Sequence, residues 1–393
     1  MANDEMIINS SIDQIFENLP IGSITKSIGN NLYGINFRQT PSFIPRAKEH
    51  YGFTFFTRPQ LNLTRPNISN FRTFYSLLSR STMSYQSYVR AMLDPRLSLN
   101  GNKVSSFVDN ENPFIPILTN SLVSLSGFPD LTVPTYTSDT GSYGQELSFV
   151  DGTVNHYESY DIDATFANYK GNPLIYMFYI WIRYQTLVFE GILTPYMDLL
   201  VENEIDYNTR IYRIVLDSKK TYVMHIAATG ASFPINVPTG NIFDYNIDTP
   251  LNTKNSEINI RFRCMGFLAF EDILKLEFNK TIAIFNPHMR IILKHDLNEK
   301  ESQIKRDDPT IVYRIKGSKY VKIPRILALN SDSSIENNSF YNINFRAIPY
   351  INLATNELEW FIDETLFNKK QQEKMKEIIE TQESQSTDFD MVD

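Results

Sequence analysis

The chain has 393 residues, 42% hydrophobic and 21% charged, which is enough to bury a core in two or three structural units. A formal net charge of -8 supplies no basic field for nucleic acid and repels phosphates. The single cysteine, Cys264, rules out an internal disulfide, and the acidic start MANDEMIINS does not read as a signal peptide.

Residues 1–50 read as an extended arm, with a short helix near Ile12–Leu19 and with Pro41 and Pro45 interrupting regular structure. Residues 51–144 form a helical and Pro-rich connecting region. It opens on the strand-like YGFTFFTRPQLNL. Phe71, Phe74, Tyr75 and Leu78 then recur at helical spacing within 69–93, with Ser69 as a cap. The stretch 94–144 is broken repeatedly by Pro and Gly and reads as a long ordered connection with short strands.

The core is expected over 145–295. Tyr160–Phe166 alternates as a half-buried strand. Asn172 is placed to cap a helix, Pro173 suits its first position, and Gly191 stands where a terminating glycine belongs. The helix 173–190, about 27 Å long at ~1.5 Å per residue, is apolar around almost its whole circumference. It must be covered, either by its own domain or by a neighbouring copy. Its apolar run is shorter than the ~20 residues of a membrane span and contains Arg183 and Gln185.

RIYRIVLD and TYVMHIAA predict a hairpin around 218–220. Glu257–Cys264 alternates: Ile258, Ile260, Phe262 and Cys264 face one way, Asn259, Arg261 and Arg263 the other. A second helix is expected around Glu271–Phe278, ending near NPHMR. Residues 296–309 read as a charged surface loop within an additional β region, 296–367, with strands in IVYRIKG, YVKIPRILAL, FYNINFRAI and ELEWFID. Residues 368–393 read as a charged helical or disordered tail. The pattern YxINFRxxP occurs at 33–41 and again at 341–349. Chance in an Asn- and Phe-rich chain and a pair of equivalent strands both account for it.

Chemistry-bearing constellations are weak. No phosphate-cradling GxxxxGK[ST] or GxGxxG occurs. Ser23 and Lys26 match S-x-x-K without its companion motifs. The five histidines do not cluster as zinc ligands. Glu202, Glu204 and Asp206 alternate as on an exposed segment, and Asp161 and Asp163 share one strand face rather than facing each other across a cleft. Arg58, Arg65 and Arg72 near Phe53, Phe55 and Phe71 form only a faint aromatic-basic platform in an acidic chain. Cys264 reads as a small buried hydrophobe. No catalytic, metal or cofactor site is assigned.

What remains is assembly. Interfaces enrich Tyr, Trp, Met and Arg, and the long helix carries Tyr176, Met177, Tyr179, Trp181, Arg183 and Tyr184. The candidate subunit interface is therefore Tyr176, Tyr179, Trp181, Arg183, Tyr184, Arg261 and Arg263. The last two also suit ion pairs, either across strands or between subunits.

The run YDIDATF…GNPLIYMFYIWIRYQTLVFEGILTPY…ENEIDYNTRIYRIVLD…IAATGASFPINVPTGNIFDYN…EINIRFRCMG resembles structural proteins of large tailed bacteriophages, specifically the tail-tube-like and baseplate proteins of contractile tails. The likeness covers about 145–290, plus 51–66; residues 296–393 exceed a simple tube subunit. It implies a mainly β (α+β) fold: a tail-tube-like β-barrel or sandwich core flanked by one long helix, with an N-terminal arm and a C-terminal extension. It further implies a non-enzymatic virion tail component in rings, usually sixfold, that partners itself and neighbouring tail proteins. DNA would pass through the channel without tight binding. The protein would reside in the virion tail, and in the host cytoplasm during assembly. Other positions are a tube initiator, a baseplate ring or a neck connector. Competing classes are a tail-associated hydrolase, which needs an acid pair, and a receptor-binding module.

Overall fold

The computed structural model describes residues 51–79, 81–98, 104–105, 108, 111–152, 158–169, 171–217, 221–243, 256–298, 319–323, 329–330, 342–343 and 347–363. The arm 1–50, the strand expected in IVYRIKG and the tail 368–393 lie outside these residues.

In chain order, β1 (Tyr51–Phe56) leads into a helical layer of α1 (Arg65–Ile68), α2 (Arg72–Tyr75) and α3 (Tyr85–Leu93). Then come α4 (Pro116–Ser121), β2 (Leu122–Ser126), β3 (Thr135–Thr137), β4 (Ser148–Val150) and β5 (Ser159–Ala167). The long helix α5 (Pro173–Phe189) and short α6 (Met197–Glu202) precede β6 (Ile211–Leu216) and β7 (Val223–Pro234). The one-turn α7 (Gly240–Phe243) is followed by β8 (Glu257–Ala269), α8 (Ile273–Phe285) and α9 (Pro287–Asn298). Last come β9 (Tyr320–Ile323), β10 (Leu329–Asn330), β11 (Asn342–Ile343), β12 (Ile348–Ile351) and β13 (Leu358–Asp363).

The architecture is mainly β with a few helices. A six-stranded antiparallel sheet, order β1-β6-β7-β8-β5-β2, curls into a nearly closed barrel. Two of its strands, β1 and β2, come from the 51–144 stretch. The gap between these edge strands is spanned by the segment around α4. Thr57 bridges to Phe114, the Ile115 N–H donates to the Phe56 carbonyl, and the chain then turns through α4 into β2. These contacts satisfy backbone groups only at the Phe56–Arg58 end of β1; the outer edge of β2 stays unpaired among the described residues.

Alternation along the strands builds two cores on opposite faces of the sheet. On one face, Phe56, Ile162, Ala164, Phe166, Ile211, Ile258, Ile260, Phe262 and Cys264 pack against α5 and the helical layer. On the other, Phe55, Tyr212, Ile214, Leu216, Ile226 and Ala228 pack against α8, α9 and the small antiparallel sheet β12-β13-β9. Phe55 lies 5.6 Å from Phe278 and 6.4 Å from Trp360, ring centre to ring centre. This second core covers β1, β6 and the start of β7, and leaves the same face of β5 and β8 bare.

Helix α5 is sandwiched between the sheet and the helical layer. Phe178 packs within 6 Å of Phe166 and of Phe262, and Tyr176 meets Tyr85 edge-on at 5.4 Å and hydrogen-bonds Ser76. Eight of its side chains are buried, a gross contribution of about 15 kcal/mol at roughly 2 kcal/mol each, before chain entropy is subtracted. Its C-terminus follows expectation. Gly191, at φ +71°, sits in the left-handed region, where its N–H reaches the Val188 carbonyl. Its N-terminus differs. Asn172 occupies the capping position at φ 54° but makes no side-chain cap; its Oδ1 instead accepts from Asn168 Nδ2 at 2.7 Å.

Two further differences have local causes. The helix expected over 69–93 is broken into short turns, and Ser84, not Ser69, caps the longest piece by accepting from the Ser87 N–H. A helix does end near NPHMR, since α8 stops at Phe285 and Asn286 is extended, but a second helix follows at once. Asn286 accepts from the His288 and Met289 N–H groups and Pro287 takes the first position, so α9 starts there.

Candidate assembly surface

The exposed side of the sheet is built by β5 and β8 in register. Asp161 pairs opposite Arg263 and Asp163 opposite Arg261, with each arginine donating to its aspartate at 2.9 Å. The Arg261 backbone N–H also donates to Asn236 Oδ1, and Asp163 holds the Arg261 guanidinium firmly protonated. Thr165 and Asn259 continue the stripe. Two acids and two bases cancel, so this face is polar but carries no net charge from these four residues. Such exposed pairs contribute little to stability; their effect is on the surface presented. Beside β5, the outer edge of β2 has no strand partner among the described residues, and Val123 on it is exposed.

The interface residues expected on α5 divide. Trp181 and Tyr184 are fully buried in the subunit's own core. The Trp181 indole N–H donates to the Tyr207 carbonyl at 2.9 Å, and Tyr184 Oη donates to Asp206 while accepting from the Asn62 N–H. Neither can present itself to a neighbour without unpacking the core. Their aromatic character serves internal packing, because α5 has protein on two sides. Tyr176 is half-buried against the helical layer. Tyr179 and Arg183, one turn apart, form the solvent stripe of the helix with Thr186, and Phe189 is exposed at its end.

The remaining candidates resolve into structural roles. Arg58 lies in the interior, its guanidinium donating to the carbonyls of Met92, Asn112 and Ala91, so no platform with Arg65 and Arg72 exists. Asp206 is buried under Tyr184 while Glu202 and Glu204 are exposed, so these acids do not converge. No group of three or more potential metal ligands occurs among the described residues. Cys264 is buried, and desolvation pushes its thiol up to about 11. Among the described residues no helix is long and apolar enough to cross a membrane.

One polar cluster was not visible in the sequence. Asp94 is fully buried where β1's exit, α3 and the 193–207 segment meet. It accepts from the Leu63 and Arg96 N–H groups and from Tyr196 Oη. Burial pushes its carboxyl up to about 6, against the pull of these donors and of Arg90. Asp206 and Tyr184 are also raised, both chiefly by desolvation. The only sequence signal was an acid placed between apolar Leu93 and Pro95.

The described residues thus form a curled antiparallel sheet backed by one long helix, with a bare polar face and an unpaired edge. The family model described as "Putative phage tail tube protein" matches residues 2–377, and the chain belongs to that family. The match includes the C-terminal stretch beyond 296 up to 377, which is therefore shared by the family rather than appended to it. A search of curated proteins gives no match. Among solved structures, the chain is similar to the cap of an anti-feeding prophage, a tube terminating cap, at 14% identity and a TM-score of 0.24. That likeness covers 42% of this chain and 84% of the cap. It is also similar to a chain of the sheath–tube complex of the PVC extracellular contractile injection system (14% identity, TM-score 0.23, 40% and 82% covered). A third likeness is to the sheath/tube terminator of that system (13%, 0.22, 40% and 87%).

Proposed function

We propose that this chain is a ring-forming subunit of the tail tube, or of a ring that starts or ends it, and that the β5–β8 face lines the conduit for DNA. The observation that carries the reading is the internally neutralised stripe Asp161–Arg263 and Asp163–Arg261 on the one bare face of an otherwise covered sheet. A protein that neutralises phosphates releases counterions and binds DNA tightly. A conduit needs the opposite, and arginines already engaged by aspartates have little left for phosphate. The acidic net charge works in the same direction. Edge-to-edge extension of the sheet through β2 would close an inner barrel, with Tyr179 and Arg183 on the outer flank. The partners are then further copies, in a ring taken as sixfold, and adjoining tail proteins, assembled in the host cytoplasm.

The test is negative-stain imaging of the purified full chain across a concentration series. Rings or stacked rings with a central channel are expected. A particle that stays monomeric at high concentration overturns the proposal. The lining assignment has its own test: Asp161→Lys with Asp163→Lys frees both arginines and adds two cations per subunit. Rings of this variant should retain double-stranded DNA in a salt-dependent way, and rings that ignore DNA would place the face elsewhere.

A further inference from the structure

The hairpin β3–β4 stands apart from both cores. Its register sets Tyr136 opposite Phe149 and Thr137 opposite Ser148. Alternation therefore puts Tyr136, Phe149 and Leu147 on one side and Thr135, Thr137, Ser148 and Val150 on the other. Tyr136 and Phe149 touch, ring centres 5.1 Å apart, yet both are about half exposed, and Tyr143 at the tip is 93% exposed. None of these residues belongs to either core. A two-stranded hairpin is marginal alone in water, and a contiguous aromatic face left bare marks an interaction site. Within 128–152 the charged residues are Asp130, Asp139, Glu146 and Asp151, with no Lys or Arg.

The opposite character lies on α8–α9. Lys280 and Ile284 on α8, and Arg290 and Ile291 on α9, are exposed. Neither Lys280 nor Arg290 is held in an ion pair among the described residues. An acidic aromatic projection and a basic apolar ridge on one chain are unlike patches. Joined between copies they give a head-to-tail contact, which propagates into a ring or stack. Tyr136, Leu147 and Phe149 with the tip Tyr143 expose roughly 500 Å², a patch of the size that marks an interaction site.

We propose that the acidic aromatic face of the β3–β4 hairpin seats on the Lys280–Ile284–Arg290–Ile291 ridge of a second copy of this chain. The proposal rests on the ring reading above, since it names the contact that joins copies. The full chain carrying Phe149→Cys, Ile284→Cys or both is assembled, oxidised and run without reductant. Cys264 stays out of the reaction because it is buried. A ladder from the double variant is expected, and single dimers from the two single variants mixed. Dimers from Phe149→Cys alone would set hairpin against hairpin and overturn the proposal. Rings by imaging with no cross-link would overturn this contact and leave the ring reading standing, whereas monomers throughout overturn both. In a second arm, Lys280→Glu with Arg290→Glu should raise the concentration needed for assembly about tenfold. Adding Glu146→Lys with Asp151→Lys in the same chain should restore it. An unchanged threshold, or no restoration, speaks against the contact.

Discussion

Trp181 separates a core role from an interface role for the long helix. Its indole is fully buried, stacks on Phe178 at 6.2 Å with an interplanar angle of 5°, and donates to the Tyr207 carbonyl. Trp181→Ala withdraws about 200 Å² of contact surface, worth about 5 kcal/mol at ~25 cal/mol per Å². Partial collapse of the cavity brings such losses to about 3–5 kcal/mol, and the Tyr207 carbonyl left without its donor adds about 1 kcal/mol. At roughly 2–4 °C per kcal/mol, the melting temperature should fall by about 10 °C or more. Trp181→Phe keeps most of the stack but loses the donor, and should cost about 1–2 kcal/mol. The measurement is thermal unfolding by circular dichroism at a concentration too low for assembly, followed by imaging at high concentration. A variant that melts like the parent yet fails to form rings would refute the placement of Trp181 in the subunit's own core.

Gly52→Ala should detach β1, because a Cβ there would meet the Ile214 carbonyl oxygen at 2.2 Å; faster hydrogen exchange over 51–56 and 211–216 checks it. Arg58→Met leaves the carbonyls of Met92, Asn112 and Ala91 without their donor in the interior, and should cost about 3 kcal/mol in urea unfolding. Asp94 binds its proton more tightly folded than unfolded, so its contribution to stability is largest below about pH 4. That contribution is lost as pH rises toward 6, by about 3 kcal/mol for a carboxyl moved from 3.8 to about 6. Urea midpoints across pH 4–7 should show this fall, and Asp94→Asn should flatten it.

How much was legible follows from how local each signal is. The long helix could be read because Pro173 and Gly191 punctuate it, and β8 because Ile258, Ile260, Phe262 and Cys264 alternate without a break. The hairpin β6–β7 announced itself by two apolar runs around a short turn. By contrast, Asn286-Pro287 could be read as the stop that α8 makes there, but not as the start of α9, because that depends on the Asn286 side chain turning onto His288 and Met289. The interior roles of Arg58 and Asp94 could not be read for a different reason. Arg58 donates to carbonyls, and Asp94 accepts from the Leu63 N–H and the Tyr196 hydroxyl, in segments tens of residues away, and no pattern within a window reports such a bond. The exposed face of Arg261 and Arg263 was readable, but their pairing with Asp163 and Asp161 depends on the β5–β8 register.

The burial of α5 changes where assembly energy must come from. An apolar helix demanded cover, either from its own domain or from a neighbouring subunit. The sheet and the 65–93 layer supply most of that cover, leaving Tyr179, Arg183 and Thr186 as a largely polar solvent stripe with Phe189 bare at the helix end. A stripe with one apolar side chain at its tip offers little apolar area to bury. Further bare surface lies on the β2 edge and the β3–β4 hairpin; β2 and β3 fall in the 94–144 stretch read as a connection, and β4 at the start of the expected core. A subunit with a self-sufficient core and its adhesive elements on a projecting hairpin and an edge strand can fold before it assembles. On the proposed ring reading, substitutions at Phe149 or Val123 should abolish assembly and leave the melting temperature unchanged, an outcome that substitutions at Trp181 cannot give.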